Sequence, residues 1–291
     1  MFKSLLKITQ PIILFLAALA YILGASIAHY LGCPFRTASF GLGLLAVLAL
    51  LGGAFILVEY FRMPLMPLTQ DETPRQRERF HIFLLQVSYA ALSLFAVAVL
   101  TLLLTHSLNP TDELLLLIVF LLIVAYAVPP LRISKTGYGE LVLAITLGSL
   151  LPALAFLLQY GQFHRLLSFV TFPITLLALA YLMICNFPSF ATDLKMERHT
   201  LLTRLTWQWA VPIHQLLVLI AFLFYAIAPF LQYPWSLIWP VFLASPFAAI
   251  QMIMLQRIAN GGRTFWNLLS AIAGATFGLT VYLLALTFWI R

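Results

Sequence analysis

Nine runs of about twenty apolar residues constrain this chain more than any other feature. They cover residues 11–32, 40–61, 81–105, 113–129, 140–160, 166–186, 209–230, 235–255 and 266–290, and each is close to the length at which a helix crosses hydrocarbon. Backbone inside lipid must satisfy its own hydrogen bonds, which a helix does within one segment. Period-two alternation is absent, which argues against a membrane barrel. With 63% of its 291 residues hydrophobic and a mean hydropathy of +1.03, the chain has more apolar surface than a water-soluble core can hide. The expected fold is therefore an all-α integral membrane protein of nine transmembrane helices, forming a single domain over residues 1–291.

The charges set an orientation. Sixteen Lys and Arg against nine Asp and Glu give a net charge of +7, which invites a nucleic-acid reading. The basic residues sit in short segments between spans, however, where membrane topology explains them. With the N-terminus in the cytoplasm, Lys3, Lys7, Arg62, Arg75, Arg77, Arg79, Arg132, Lys135, Lys195, Arg198, Arg204, Arg257 and Arg263 fall inside. Only Arg36, Arg165 and Arg291 fall outside. The expected location is the bacterial inner membrane, with the C-terminus outside and no nucleic acid among the partners. Pro129-Pro130 should end the fourth helix. Pro152, Pro173, Pro212, Pro240 and Pro246 lie within later runs and predict kinked helices.

The polar residues concentrate on the inner face. Residues 186–201 form a hydrophilic island carrying Asp193, Lys195, Glu197, Arg198 and His199, in a chain that is only 9% charged. Handling a lipid diphosphate at such a face needs carboxylates to hold magnesium. It also needs cations to neutralise the departing diphosphate. Lys195, Arg198, Arg204, Arg132 and Lys135 could supply the cations; Glu59, Asp193 and Glu197 could supply carboxylates.

The stretch Tyr126-Ala-Val-Pro-Pro130-Leu-Arg132-Ile-Ser-Lys135-Thr-Gly137-Tyr-Gly139-Glu140 resembles a loop of UbiA-type intramembrane prenyltransferases, most of all the branch that prenylates naphthoquinone precursors. The island resembles that family's second aspartate motif through Phe187-Pro188, Asp193 and Thr200-Leu201, with Arg198 on the motif's lysine. The resemblance implies a UbiA-type nine-helix bundle with a cavity open to the cytoplasmic side, and magnesium-dependent transfer of a prenyl group from its diphosphate to an aromatic quinone or pigment precursor. It further implies Asp193 and Glu59 as catalytic metal ligands, and Lys195, Arg198, Arg132, Lys135 and Tyr126 around the diphosphate. The chain also departs from the pattern. Ser189 stands at the first aspartate of the second motif, Cys185 at its asparagine and Asn186 at its frequent glutamate. Around Val58-Glu59-Tyr60-Phe61-Arg62 the first motif keeps at most Glu59, and Arg62 places a cation where a ligand belongs.

Two functions stay open on these residues. One is a magnesium-dependent prenyltransferase. The other is a non-catalytic relative that binds an isoprenoid, quinone or pigment, or serves as a subunit of a larger membrane complex. Simpler roles are available for single residues. Glu59 can pair with a nearby arginine, and the loop cations satisfy the positive-inside rule. Gly137 and Gly139 suit a tight turn, and Glu140 suits a helix N-terminus. His29 and His214 suit interhelical hydrogen bonds rather than metal ligation. Cys33 and Cys185 show no metal-type spacing and suit no disulfide.

Overall fold

The structure is a computed structural model and describes residues 8–62, 74–105, 107–195 and 199–291. Among these residues nine helices are long and apolar enough to cross a membrane. They are α1 (Pro11–Tyr30), α2 (Thr37–Arg62), α3 (Pro74–Leu104), α4 (Pro110–Ala127), α5 (Gly139–Tyr160), α6 (Arg165–Lys195), α7 (Leu201–Ala226), α8 (Trp235–Ala259) and α9 (Trp266–Ile290). Each corresponds to one apolar run, and the protein is an all-helical, multi-pass membrane protein.

Three helices outrun the hydropathy that announced them. α3 begins at Pro74, α6 runs on to Lys195 and α7 begins at Leu201, so residues 74–80, 187–195 and 201–208 lie in helical segments rather than loops. The cause is that apolar composition marks where a helix meets lipid, whereas a helix can continue into water on charged residues such as Arg75, Arg77 and Arg204. Pro74 suits a first helical position because its missing N–H needs no partner there. Thr200 caps α7, its hydroxyl accepting from the Thr203 N–H at 3.2 Å. At Thr206 the backbone leaves helical space (φ 62°, ψ 161°), a costly conformation for a β-branched residue. The break separates the short turn 201–205 from the long helix beyond it.

α5, α6 and α1 are the inner helices: 72%, 72% and 61% of their most apolar windows are buried, against 22% for α3. Absent side chains let them approach. A Cβ on Gly24 of α1 would overlap the Pro152 carbonyl of α5, and one on Gly148 of α5 would overlap the Thr175 backbone of α6. Such small-residue contacts supply the close van der Waals packing that replaces a hydrophobic driving force inside lipid. Pro152 cannot donate to the carbonyl one turn earlier, and the helix answers with a π turn over Thr146–Leu150. In α6, Pro173 disrupts the same ladder, and the Tyr225 hydroxyl of α7 donates to the nearby Val170 carbonyl at 2.9 Å. α8 is interrupted rather than merely kinked: a 3₁₀ segment, Trp239–Ala244, holds Pro240 and precedes the helix that carries Pro246.

His29 stacks on Trp289 with ring centroids 4.5 Å apart. His214 departs from expectation: it is fully buried, and neither ring nitrogen has a hydrogen-bond partner among the described residues. Cys33 and Cys185 are free thiols. Because successive spans alternate in direction, the starts of α1, α3, α5, α7 and α9 share one face with the ends of α2, α4, α6 and α8.

Candidate functional site

That shared face is assembled by the connection between α4 and α5. After Pro129-Pro130 the backbone turns at Arg132 (φ 39°), passes through a 3₁₀ turn at Ile133–Lys135, and reverses at Gly137 (φ 83°). Gly137 is required twice over. Its φ favours glycine, and a Cβ there would lie 2.5 Å from the Arg204 Nε. A Cβ on Gly139 would lie 2.9 Å from the Ser134 Cα and 3.3 Å from the Tyr126 ring. The loop thus closes over Tyr126 on one side and against Arg204 on the other.

Three contacts join this loop to its neighbours. Thr136 and His199 form an isolated parallel bridge. The Arg204 guanidinium lies 4.5 Å from the centre of the Tyr138 ring, and its Nη1 donates to the Tyr138 hydroxyl at 3.2 Å. The Arg132 guanidinium lies 5.6 Å from the centre of the Phe61 ring at the end of α2. The α4–α5 loop and the segment from His199 to Arg204 therefore meet on one surface, with the end of α2 beside them.

Glu140 ties this surface to the bundle. It is 8% exposed, and its Oε1 accepts from Asn186 Nδ2 at 2.7 Å, while both its oxygens lie 3.2 Å from the Leu201 N–H. Gly139 opens α5 and Leu201 opens α7, so one carboxylate meets the positive ends of two helices. From sequence, Glu140 was only a helix-start residue. Its reach across to α7 depends on a contact 61 residues away in the chain.

A cavity of about 580 Å³ opens beside Glu140, bounded by the start of α1 at Gln10–Ile13, the end of α4 at Tyr126, and Tyr181, Leu182, Cys185 and Asn186 of α6. Ser134 and Thr200 complete its polar end. The Ser134 Oγ, whose residue lines the cavity, is buried with no hydrogen-bond partner among the described residues; so is the Nη2 of Arg132, two positions earlier in the loop and not a lining residue. Desolvation of the Arg132 guanidinium lowers its pKa from the ordinary value.

The residues expected to work together are distributed unevenly. Tyr126 lines the cavity; Glu59, Arg132, Lys135, Asp193 and Lys195 are not among its lining residues. Glu59 forms an ion pair with Arg62 at 2.7 Å. Asp193 is 3% exposed and accepts a hydrogen bond from the Ser189 hydroxyl at 2.7 Å. The serine that replaces the motif's first aspartate thus donates to the aspartate that remains. Lys195 is exposed at the end of α6, and Lys135 is half-buried. Arg198 and Glu197 lie outside the described residues. The lining positions Tyr181, Cys185, Asn186 and Ser134 were missed as a group, since only the α4–α5 reversal brings Ser134 to α6.

These groups do not fit the magnesium that the resemblance implied. A cation beside Glu59 repels a metal ion and already occupies its carboxylate. One Asp193 oxygen is taken by a hydroxyl. No group of three His, Cys, Asp or Glu side chains able to hold a metal occurs among the described residues.

A family model described as the UbiA prenyltransferase family matches residues 72–267. Among solved structures, the chain is similar to one concerning digeranylgeranylglyceryl phosphate synthase in membranes, at 12% identity and a TM-score of 0.66 over 100% of this chain and 99% of that one. It is also similar to a UbiA homologue from Archaeoglobus fulgidus bound to GPP and Mg2+, at 14% identity and a TM-score of 0.62 over 96% and 99%. A UbiA homologue from Aeropyrum pernix K1 shares 15% identity with a TM-score of 0.59 over 95% and 94%. At these identities the likeness establishes the fold. Comparison with curated proteins finds no match.

Proposed function

We propose that this chain, which belongs to the UbiA prenyltransferase family, binds an isoprenoid with an anionic head group and has lost the metal-dependent ionisation of a prenyl diphosphate. One observation carries this reading: a cavity of about 580 Å³ is lined by Ser134, whose buried Oγ has no hydrogen-bond partner among the described residues, and the same α4–α5 loop carries Arg132, whose buried Nη2 likewise has none. Leaving a buried donor unmade costs about 1–3 kcal/mol, more for a charged one, and a phosphate oxygen would satisfy both. Ile12, Ile13, Leu143 and Leu182 then face the chain of the isoprenoid. A prenyl diphosphate, such as the GPP held by the Archaeoglobus fulgidus homologue, is the first ligand to try. The membrane is the bacterial inner membrane, with the N-terminus and the site on its cytoplasmic side and residues 1–291 acting as one domain.

The retained Asp193 favours the competing reading, magnesium-dependent transfer to an aromatic acceptor of the quinone type. One experiment separates the two. Purified protein is incubated with radiolabelled geranyl diphosphate, with and without magnesium; binding and diphosphate release are measured. We expect saturable binding that does not need magnesium, weakened tenfold or more in Arg132→Gln, with no release above background. Magnesium-dependent release that disappears in Asp193→Ala would instead establish catalysis. Absence of binding would refute the ligand class.

A further inference from the structure

A second site lies at the turn between α8 and α9, on the same face but away from the cavity beside Glu140. The end of α8 is closed by three backbone hydrogen bonds: Asn260 N–H to the Gln256 carbonyl at 3.1 Å, Gly261 N–H to Ile258 at 3.0 Å, and Gly262 N–H to Arg257 at 2.9 Å. Gly261 takes a φ of 86°, and a Cβ on Gly262 would lie 2.8 Å from the Arg257 carbonyl oxygen. Both glycines are therefore needed to turn this tightly. The turn sets Arg257, on the last turn of α8, beside Arg263, which follows it. A cavity of about 510 Å³ lies between them, with Met254, Ile258 and Phe265 as its apolar wall.

The two arginines are the unusual part. Both are exposed, and neither side chain has a hydrogen bond, ion pair or ring contact among the described residues. Sequence explains why. The last acidic residue of the chain is Glu197, so the 91 residues from Leu201 to Arg291 contain no carboxylate side chain. Arg257 gains a little from the negative end of α8, but Arg263 lies beyond the helix. The Phe265 ring is 54% exposed at the level where α8 ends and α9 begins, the depth at which aromatic rings settle in the head-group layer.

We propose that this turn is a binding site for the phosphate of an anionic phospholipid, with the acyl chain on Met254, Ile258 and Phe265. Guanidinium groups match phosphate oxygens in planar, paired hydrogen bonds, and the apolar wall fixes which side of the phosphate carries the lipid tail. The positive-inside rule explains why arginines stand on one face of a membrane protein. It does not call for a cavity between them or for an apolar wall on one flank. Free phosphate shares the recognition chemistry but has no use for that wall, so the lipid is the assigned occupant.

Native mass spectrometry of the full chain released from detergent tests the assignment. The probes are dioleoyl phosphatidylglycerol, dioleoyl phosphatidylcholine and inorganic phosphate. We expect one phosphatidylglycerol to bind about tenfold or more tightly than phosphatidylcholine, and R257Q/R263Q to lose that preference. R165Q, which removes an arginine on the opposite face, should keep it. Melting temperatures in phosphatidylcholine control for folding, since exposed arginines without partners should leave stability unchanged. Equal phosphatidylglycerol binding by wild type and R257Q/R263Q would overturn the site. Arginine-dependent binding of inorganic phosphate with no lipid preference would overturn the lipid assignment.

Discussion

Removing the Glu140 carboxylate tests whether the two polar segments are held together as described. In Glu140→Ala, Asn186 Nδ2 and the Leu201 N–H each lose the acceptor they have at 2.7 and 3.2 Å. Both donors are half-buried, so each lost bond costs about 0.5–1.5 kcal/mol. The loss of a negative charge at two helix starts adds about 0.3–1 kcal/mol each. We expect Glu140→Ala to destabilise by about 2–5 kcal/mol. Glu140→Gln keeps the shape and one carbonyl acceptor but loses the charge, so about 1–2 kcal/mol is expected from the weaker hydrogen bonds. Asn186→Ala should not add to Glu140→Ala, because the two share one bond; their coupling should be about 1–2 kcal/mol. Equilibrium unfolding in mixed micelles at increasing mole fraction of denaturing detergent measures all four proteins. Glu140→Ala within about 0.5 kcal/mol of wild type, or additivity of the pair within the same margin, would refute the clasp.

Three further outcomes follow from the same geometry. Arg62→Asp combined with Ser189→Asp replaces the cation beside Glu59 and the hydroxyl bound to Asp193 with carboxylates. This variant should acquire a magnesium-dependent rise in melting temperature that the wild type lacks; no difference between them would show that these positions do not border a metal site. His214→Leu removes two buried nitrogens with no partner among the described residues and should stabilise by about 1–3 kcal/mol in the same unfolding assay. Destabilisation would show that His214 makes a polar contact in the folded protein. Gly148→Val pushes a side chain into the Thr175 backbone and should cost about 1–3 kcal/mol or more, whereas Gly41→Ala, within α2 and meeting nothing within 4 Å, should be neutral or stabilise by up to about 1 kcal/mol.

Some of the site was legible before any coordinates. Tyr126, Gly137 and Gly139 follow from the α4–α5 loop sequence, since glycines at a reversal before a helix have a local reason to be there. Glu59 beside Arg62 was readable as a pair because the two are three residues apart on a helix. Asp193 was readable as one of two carboxylates in the island. Its partner was not, because nothing local says whether Ser189 turns toward it or toward solvent. Ser134, Cys185 and Asn186 were not readable as one wall, since they come from a loop and a helix far apart in the chain.

What the sequence determined by itself is the number of membrane crossings, their order and their alternating direction. Lipid imposes those on any chain with such apolar runs, because an unpaired backbone group in hydrocarbon costs several kcal/mol. What only the tertiary structure decided is which helices lie inside, where a cavity remains between them, and which charges neutralise one another. Those outcomes depend on close approach at Gly24 and Gly148 and on hydrogen bonds that Glu140 accepts from residues 46 and 61 positions away. Distances of that kind exist only after the helices have packed.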